Sequence, residues 1–473
     1  MVFVTVVGLS LLLCLAHWIY TWRNPKCNGK LPPGSMGFPI IGETVQYFIP
    51  CTNLDIPPFL RERMERYGSL FKTSIVGYKI VVSTDPEINH FIFQEEGKSF
   101  ISWYVDSFTD IFGKDNSFFL QGFVHKYVRN LTLNFVGVQS LKERVLPQVE
   151  KLTCKHLQSW SSQGTVELKE AISTMIFNFS AEMLFSSNET ESTTKLRKSY
   201  AAFLDGLICF PLYIPRTAYW KCLQGRKEAM GILKSMLEER RTAPKREKKD
   251  FLDVMVEETK KDGSFLTEKM VLDLLFMLPF AFFESTSSTM VLAVKFLVEN
   301  PEALEDLTKE HEAILSNRKT NDSEITWEEY RSMTFTHMVI NETTRLANIV
   351  PGIFRKAVKD VQIKGYTIPA GWMVVACPTT VHLNPVKYSD PLAFNPWRWQ
   401  GEELHSGSKN YMAFGGGVRL CAGADFVKLQ MAIFLHYLVT KYRWSVIKGH
   451  VLKKPGVVFP DGFHIQLFDK NTN

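Results

Sequence analysis

No Cys-x-x-Cys pair occurs in this chain, and the usual zinc-ligand spacings are missing too. The eight cysteines stand singly, at 14, 27, 51, 154, 209, 222, 377 and 421. Most read as buried free thiols in a reducing compartment, which leaves one or two to carry chemistry. No internal repeat and no low-complexity tract is visible. No basic cluster is interleaved with aromatics, and a net charge of +6 is mild for 473 residues, which argues against a nucleic-acid partner. That small excess suits an acidic partner or a membrane surface. What the chain does have is apolar material. It is 45% hydrophobic with 35 Phe, enough for a large core and for an apolar cavity.

Residues Met1 to about Tyr20 form an almost unbroken apolar run, near the ~20 residues that a spanning helix needs. No positive charge precedes it and no small-x-small cleavage site closes it, so residues 1–22 read as a retained anchor rather than a cleaved leader. Arg23, Lys26 and Lys30 follow, and the positive-inside rule then keeps the rest of the chain in the cytosol. Trp18, Tyr20 and Trp22 suit the membrane–water interface. Residues 23–40, with Pro32, Pro33 and Pro39, form a stiff joint, and 41–473 a single large body. That body reads as mainly α with a small β portion: strand-like runs near Gly68–Ser83 and Val361–Val375, helical period over most of the rest. Sequons at Asn130, Asn178, Asn188, Asn321 and Asn341 should stay unmodified in a cytosolic domain.

The strongest local pattern is Phe414-Gly415-Gly416-Gly417-Val418-Arg419-Leu420-Cys421-Ala422-Gly423. Glycines allow positive φ and close backbone approach to a large flat ligand. A metal-binding thiolate needs N–H groups or positive charge nearby, and a Gly-rich turn feeding a helix supplies the former. Arg419 is placed to pair with an anionic group. Elsewhere, Glu342 and Arg345 fall at i and i+3 on one helix face, among apolar neighbours that imply burial. Residues Leu274–Val294 could by length be a second span. Pro279, Glu284 and the Ser285–Thr289 hydroxyl run make a buried core helix the better reading.

Phe-x-x-Gly-x-Arg-x-Cys-x-Gly resembles the haem-binding signature of the cytochrome P450 superfamily, matched here at every fixed position. The resemblance extends from the proline joint to the end of the chain. It implies the fold of that family, haem b with Cys421 as metal ligand, and electrons from NADPH through a membrane-bound NADPH-cytochrome reductase. Phe414 and Gly423 then border the cofactor, and Arg419, Arg355, Arg129 and His125 reach its propionates, His125 replacing a usual Trp. Glu342, Arg345 and Arg398 become a structural triad. Arg129, Lys126, Lys428 and Arg419 would give the reductase a basic face. Ala281-Phe282-Phe283-Glu284-Ser285-Thr286 aligns with the oxygen-activation segment, so Glu284 and Ser285 become the catalytic acid and alcohol that pass protons into the site. Phe282 stands where the family has Gly, and a ring there either narrows the space over the haem or tilts away and walls the substrate.

The proline joint, Phe394–Trp399 and the cysteine loop are similar to plant members that oxidise brassinosteroids, abscisic acid, triterpenoids and taxanes. The Phe-Glu-Ser-Thr-Ser segment resembles enzymes of cucurbitane triterpenes and plant sterols. Some relatives are associated with cleaving a sterol side chain, so the specific expectation is cholesterol or campesterol to pregnenolone. The alternatives are one regioselective hydroxylation of a triterpenoid or sterol, a haem-thiolate isomerase or dehydratase needing no reductase, and a non-enzymatic sterol carrier. A hydrophobic small-molecule substrate would be lined by Ala281, Phe282, Val350, Ile353 and Phe459. The implied location is the endoplasmic reticulum membrane, single-pass, with the catalytic domain in the cytosol.

Overall fold

The computed structural model describes residues 2–116, 119–186, 191–204, 206–207, 209, 211–244, 249–318, 323–402 and 408–470. The sequons at Asn188 and Asn321 lie outside them. Helix α1 (Val2–Arg23) meets the body near its C-terminal end, through Trp22, and none of its apolar window is buried. At ~1.5 Å per residue its 21-residue apolar stretch matches the thickness of a bilayer core. The residues after it are no free linker. Trp22 donates its indole N–H to the Met36 carbonyl at 3.2 Å, so this ring docks on the body. Pro33 O accepts from Lys72 N at 2.8 Å, Lys30 O accepts from Thr367 N at 2.7 Å, and Met36 is buried. Segments of residues 30–36 are thus hydrogen-bonded to or packed on the body.

Six further helices and one sheet position the site: α2 (Gly122–Val136), α3 (Leu168–Phe185), α4 (Glu191–Leu204), α5 (Glu268–Glu299), α6 (Thr334–Ala347) and α7 (Ala424–Lys441). The sheet holds β1 (Leu70–Ile75), β2 (Tyr78–Ser83), β3 (Phe100–Ser102), β4 (Ile353–Ala357) and β5 (Met373–Ala376), in the order β1-β2-β5-β4-β3. Only the β2–β5 pair is parallel. Val76 and Gly77 turn the β1–β2 hairpin with both φ angles positive, a two-residue turn of the type that suits strand twist.

Helix α5 is the axis of the core. Thr267 caps it by accepting from Met270 N, and Glu268 adds a carboxylate to the first turn, where the helix dipole favours it. Residues 271–279 and 286–294 are buried throughout. This is the second helix apolar enough to cross a membrane, and 72% of its apolar window lies inside the protein, so it is a core helix. Pro279 lacks the N–H that would close the helix bond to Leu275. Close by, Tyr200 of α4 stacks on Phe276 at 5.1 Å and donates its hydroxyl to the Phe276 carbonyl. Helix α6 ends at Asn348, in the left-handed region, whose amide donates back to Arg345 O at 2.8 Å.

Candidate active site

Glycines at 415 and 417 have φ of 78° and 62°, conformations that a side chain would strain. Packing makes a second demand. A Cβ on Gly416 would meet the Phe93 ring at 2.6 Å, and one on Gly417 would meet the Phe93 carbonyl at 2.3 Å. Two of the three glycines thus let the loop press on the helix Pro86–Gln94, rather than on a ligand. Gly423 differs. Its φ is ordinary, and a Cβ there would meet only the Cys421 sulfur, at 3.9 Å. Among the described residues nothing crowds position 423, but a flat group resting on the sulfur would.

Cys421 is exposed by area, yet burial is the first cause pushing its thiol pKa up. Both hold if the sulfur lies deep and faces open internal volume. The Gly423 N–H and Arg129 work against that rise and favour thiolate. Ala281 shows the same signature, exposed in mid-helix on α5 between long buried stretches. Beside it, Ser285 donates its hydroxyl to Ala281 O at 3.3 Å.

His125 and Arg129 sit one turn apart on α2, and Arg129 Nη1 donates to the Leu420 carbonyl at 2.5 Å. Arg419 donates through Nε to Glu96 at 3.0 Å and through Nη2 to Gln121 Oε1 at 2.9 Å and to the Leu120 carbonyl. Arg355 of β4 places Nε 2.6 Å from Glu96 Oε2. Burial first, then Arg419, Arg129 and Arg355, hold the His125 pKa down to about 4, so its imidazole is neutral. Among the described residues, this cluster sets three guanidiniums against one carboxylate, an excess of two positive charges. Two carboxylates of a porphyrin would neutralise it. Together with the cradle at Gly423 and the open sulfur, this chemistry fits an iron porphyrin.

Glu342 accepts from both Nε and Nη2 of Arg345 at 2.8 Å, from Arg398 Nε at 3.0 Å, from the Trp399 indole at 3.0 Å and from Asn395 N at 2.9 Å. Arg345 spends its remaining donors on the carbonyls of His382, Pro391 and Ala393. His382 carries this knot to the cysteine loop. Its Nε2 accepts from Met412 N at 2.9 Å, which leaves Nδ1–H to donate to Asn348 Oδ1 at 2.7 Å. Burial, then Arg345, lowers its pKa to about 3.

The sign of this shift sets a pH dependence. The unfolded chain protonates His382 near its ordinary 6.5, whereas the folded chain resists to about 3. Its contribution is whole above pH 6.5 and is lost as pH falls toward 3. His311 and His436, buried and 3.0 Å apart through their Nδ1 atoms, shift the same way. Each such proton costs about 1.4 kcal/mol per pH unit in that window. Thermal melts should be flat above pH 7 and fall from about pH 6.5. A melting temperature that stays level down to the carboxylate range would contradict the burial of neutral imidazoles.

Glu284 does not touch Ser285. Its carboxylate lies 3.1 Å from Lys169 Nζ of α3, and Lys169 also donates to Ser287 at 2.8 Å and to Ser173 at 3.2 Å. Glu167 caps α3 just before this lysine and so fixes its register. Phe282 stacks on Phe426 of α7 at 4.8 Å and is 6% exposed, so its ring packs in the core. The reason is helical phase: the 282 stripe faces α7, one position round from the open stripe of Ala281 and Ser285. Ile353 reaches the cysteine loop, its Cδ1 being 3.8 Å from where a Gly415 Cβ would stand. Val350 is exposed on the loop after α6, and Phe459 packs on Phe463 at 6.2 Å. Phe414 is half-buried under Lys428. Of the four basic residues expected to face a partner, only Lys126 is exposed; Arg419 and Arg129 turn inward to the cluster.

The cytochrome P450 family model matches residues 32–460, and this chain belongs to that family. It is 54% identical to cytochrome P450 87A3 of Oryza sativa subsp. japonica, over 96% of this chain and 89% of the rice protein. It is 42% identical to cucurbitadienol 11-hydroxylase of Siraitia grosvenorii, over 98% and 99%. It is 38% identical to cholesterol 22-monohydroxylase CYP90B52 of Paris polyphylla, over 97% and 99%. Among solved structures, retinoic acid-bound cyanobacterial CYP120A1 shares the fold, with a TM-score of 0.83 at 23% identity, covering 93% of this chain and 100% of that one. The protein is thus a haem-thiolate monooxygenase that takes electrons from a reductase, with relatives named for hydroxylating sterols and triterpenoids.

Proposed function

We propose that this protein hydroxylates a sterol or triterpenoid at one position, with Cys421 as the thiolate ligand of the haem. The observation that carries the proposal is that Cys421 and Ala281 are both exposed, although burial raises the pKa of the Cys421 thiol and Ala281 lies between buried stretches of α5. Cys421 would hold the haem iron, and Ala281 would offer the substrate an apolar surface. Thiolate-ligated haem supplies oxygen activation and insertion into unactivated C–H bonds. The chain supplies the rest. Arg129, Arg355 and Arg419 hold the cofactor carboxylates, with His125 as a neutral donor beside them. Ala281, Ile353, Val350 and Phe459 give a polycyclic hydrocarbon an apolar wall and exclude water. Glu284 and Ser285 pass protons along α5, and Lys169, 3.1 Å from the Glu284 carboxylate, keeps that side chain aimed.

Removing that proton handling has a size. Glu284→Gln should lower product formation by roughly a hundredfold, with the carbon monoxide spectrum of the reduced protein unchanged. Equal turnover in variant and wild type would remove Glu284 from the mechanism.

The relative named for cholesterol 22-hydroxylation favours a second reading, because C22 lies on the sterol side chain. Successive hydroxylation of adjacent side-chain carbons, then C–C scission, would convert cholesterol or campesterol to pregnenolone. Expression with a plant NADPH-cytochrome reductase, feeding of sterols and triterpenoids, and mass spectrometry separate the readings. One added oxygen on an intact skeleton supports hydroxylation; a 21-carbon steroid supports cleavage; no oxygenated product from either class overturns both.

We further propose that α1 anchors the protein in the endoplasmic reticulum with the body in the cytosol, held by Arg23, Lys26 and Lys30. Deletion of residues 1–22 should move the haem protein from the pelleted membranes toward the supernatant. Unchanged membrane retention would show that other surfaces suffice.

A further inference from the structure

Glu96 belongs to no motif, and its surroundings in sequence, Gln94-Glu95-Glu96-Gly97-Lys98, look like a solvated turn. The fold buries its side chain to 3% exposure, beside Arg355 at 3% and Arg419 at 11%. Its Oε1 accepts from Ser102 N at 3.1 Å and from Arg419 Nε at 3.0 Å. Its Oε2 lies 2.6 Å from Arg355 Nε, but the two are misaligned for a hydrogen bond, so both keep unfilled capacity.

We propose that Glu96 is a positioning residue for the haem: it stays between Arg355 and Arg419 with the cofactor in place, aims both guanidiniums at the propionates, and balances their charge. This rests on the reading that these arginines hold the cofactor carboxylates. Three arginines then meet three carboxylates, one from the chain and two from the porphyrin. Without Glu96, one buried guanidinium charge would lack a counter-ion, which is costly at low dielectric. The backbone also argues against Glu96 being a placeholder that swings aside. Gly97 N bonds Phe100 O at 2.7 Å and Ser102 N holds the carboxylate, so the turn is pinned to β3.

The test compares purified holoprotein of the wild type, E96Q and E96D, by the rate of haem transfer to excess apomyoglobin and by the reduction potential. In E96Q haem should leave roughly tenfold faster. Its potential should move positive, because a negative charge near the iron is gone. E96D keeps the charge but shortens the reach, so haem should leave faster with the potential unmoved. Either quantity unmoved in E96Q overturns the proposal. If E96Q fails to fold, wild-type haem retention in E96D overturns it. A wild type without the haem-thiolate spectrum defeats the underlying reading instead, which keeps the two failures apart.

Discussion

Cys421→Ser should yield a folded protein that forms no detectable product from any sterol or triterpenoid. The fold survives because the loop is held by its backbone and not by the sulfur: Cys421 N bonds Phe414 O at 2.9 Å, and Phe93 presses on Gly416 and Gly417. The chemistry fails because an alcohol stays protonated where a thiol ionises, and a neutral oxygen ligand cannot donate electron density as thiolate does. Cys27→Ser, at a thiol that bonds only the Gly29 carbonyl at 3.1 Å, serves as the control and should keep full turnover. Product formation by Cys421→Ser, measured by mass spectrometry, would remove the sulfur from the reaction.

Glu342→Ala has the second-largest expected effect, on stability. The substitution deletes the acceptor of five hydrogen bonds and leaves Arg345, wholly buried, with carbonyl partners alone. Breaking a buried pair by removing one member costs about 3–5 kcal/mol, a large share of the roughly 5–15 kcal/mol that stabilises a folded domain. Loss of the knot also frees His382, and with it the backbone at Met412 that leads into the cysteine loop. Expression should give little soluble haem protein, and Glu342→Gln should fall between. Denaturant unfolding within about 1 kcal/mol of the wild type would show that the knot is dispensable.

What the sequence revealed divides along physical lines. The cysteine loop was legible because its spacing is local and its glycines answer to backbone geometry. Glu342, Arg345 and Arg398 were legible through helical periodicity plus a family pattern. The anchor and the core helix α5 were told apart by the carboxylate and proline inside the latter. Long-range pairings were not legible. Lys169 meets Glu284 from 115 residues away, and no periodicity announces that. Glu96 looked like surface because burial of a charge is decided by what folds over it. His382 resembled any histidine in an apolar stretch. The direction of Phe282 was not legible, because substitution at a glycine position says that a ring is present, not which way the helix turns it. Arg419 and Arg129 were expected both at the propionates and on a basic docking face, and the fold turns both inward to the cluster.

The central claim is met most directly by reducing the purified wild-type protein, adding carbon monoxide and recording the Soret band. The account predicts a strongly red-shifted band that disappears in Cys421→Ser. A band at the position typical of imidazole-bound haem, or one that the serine variant retains, would contradict it.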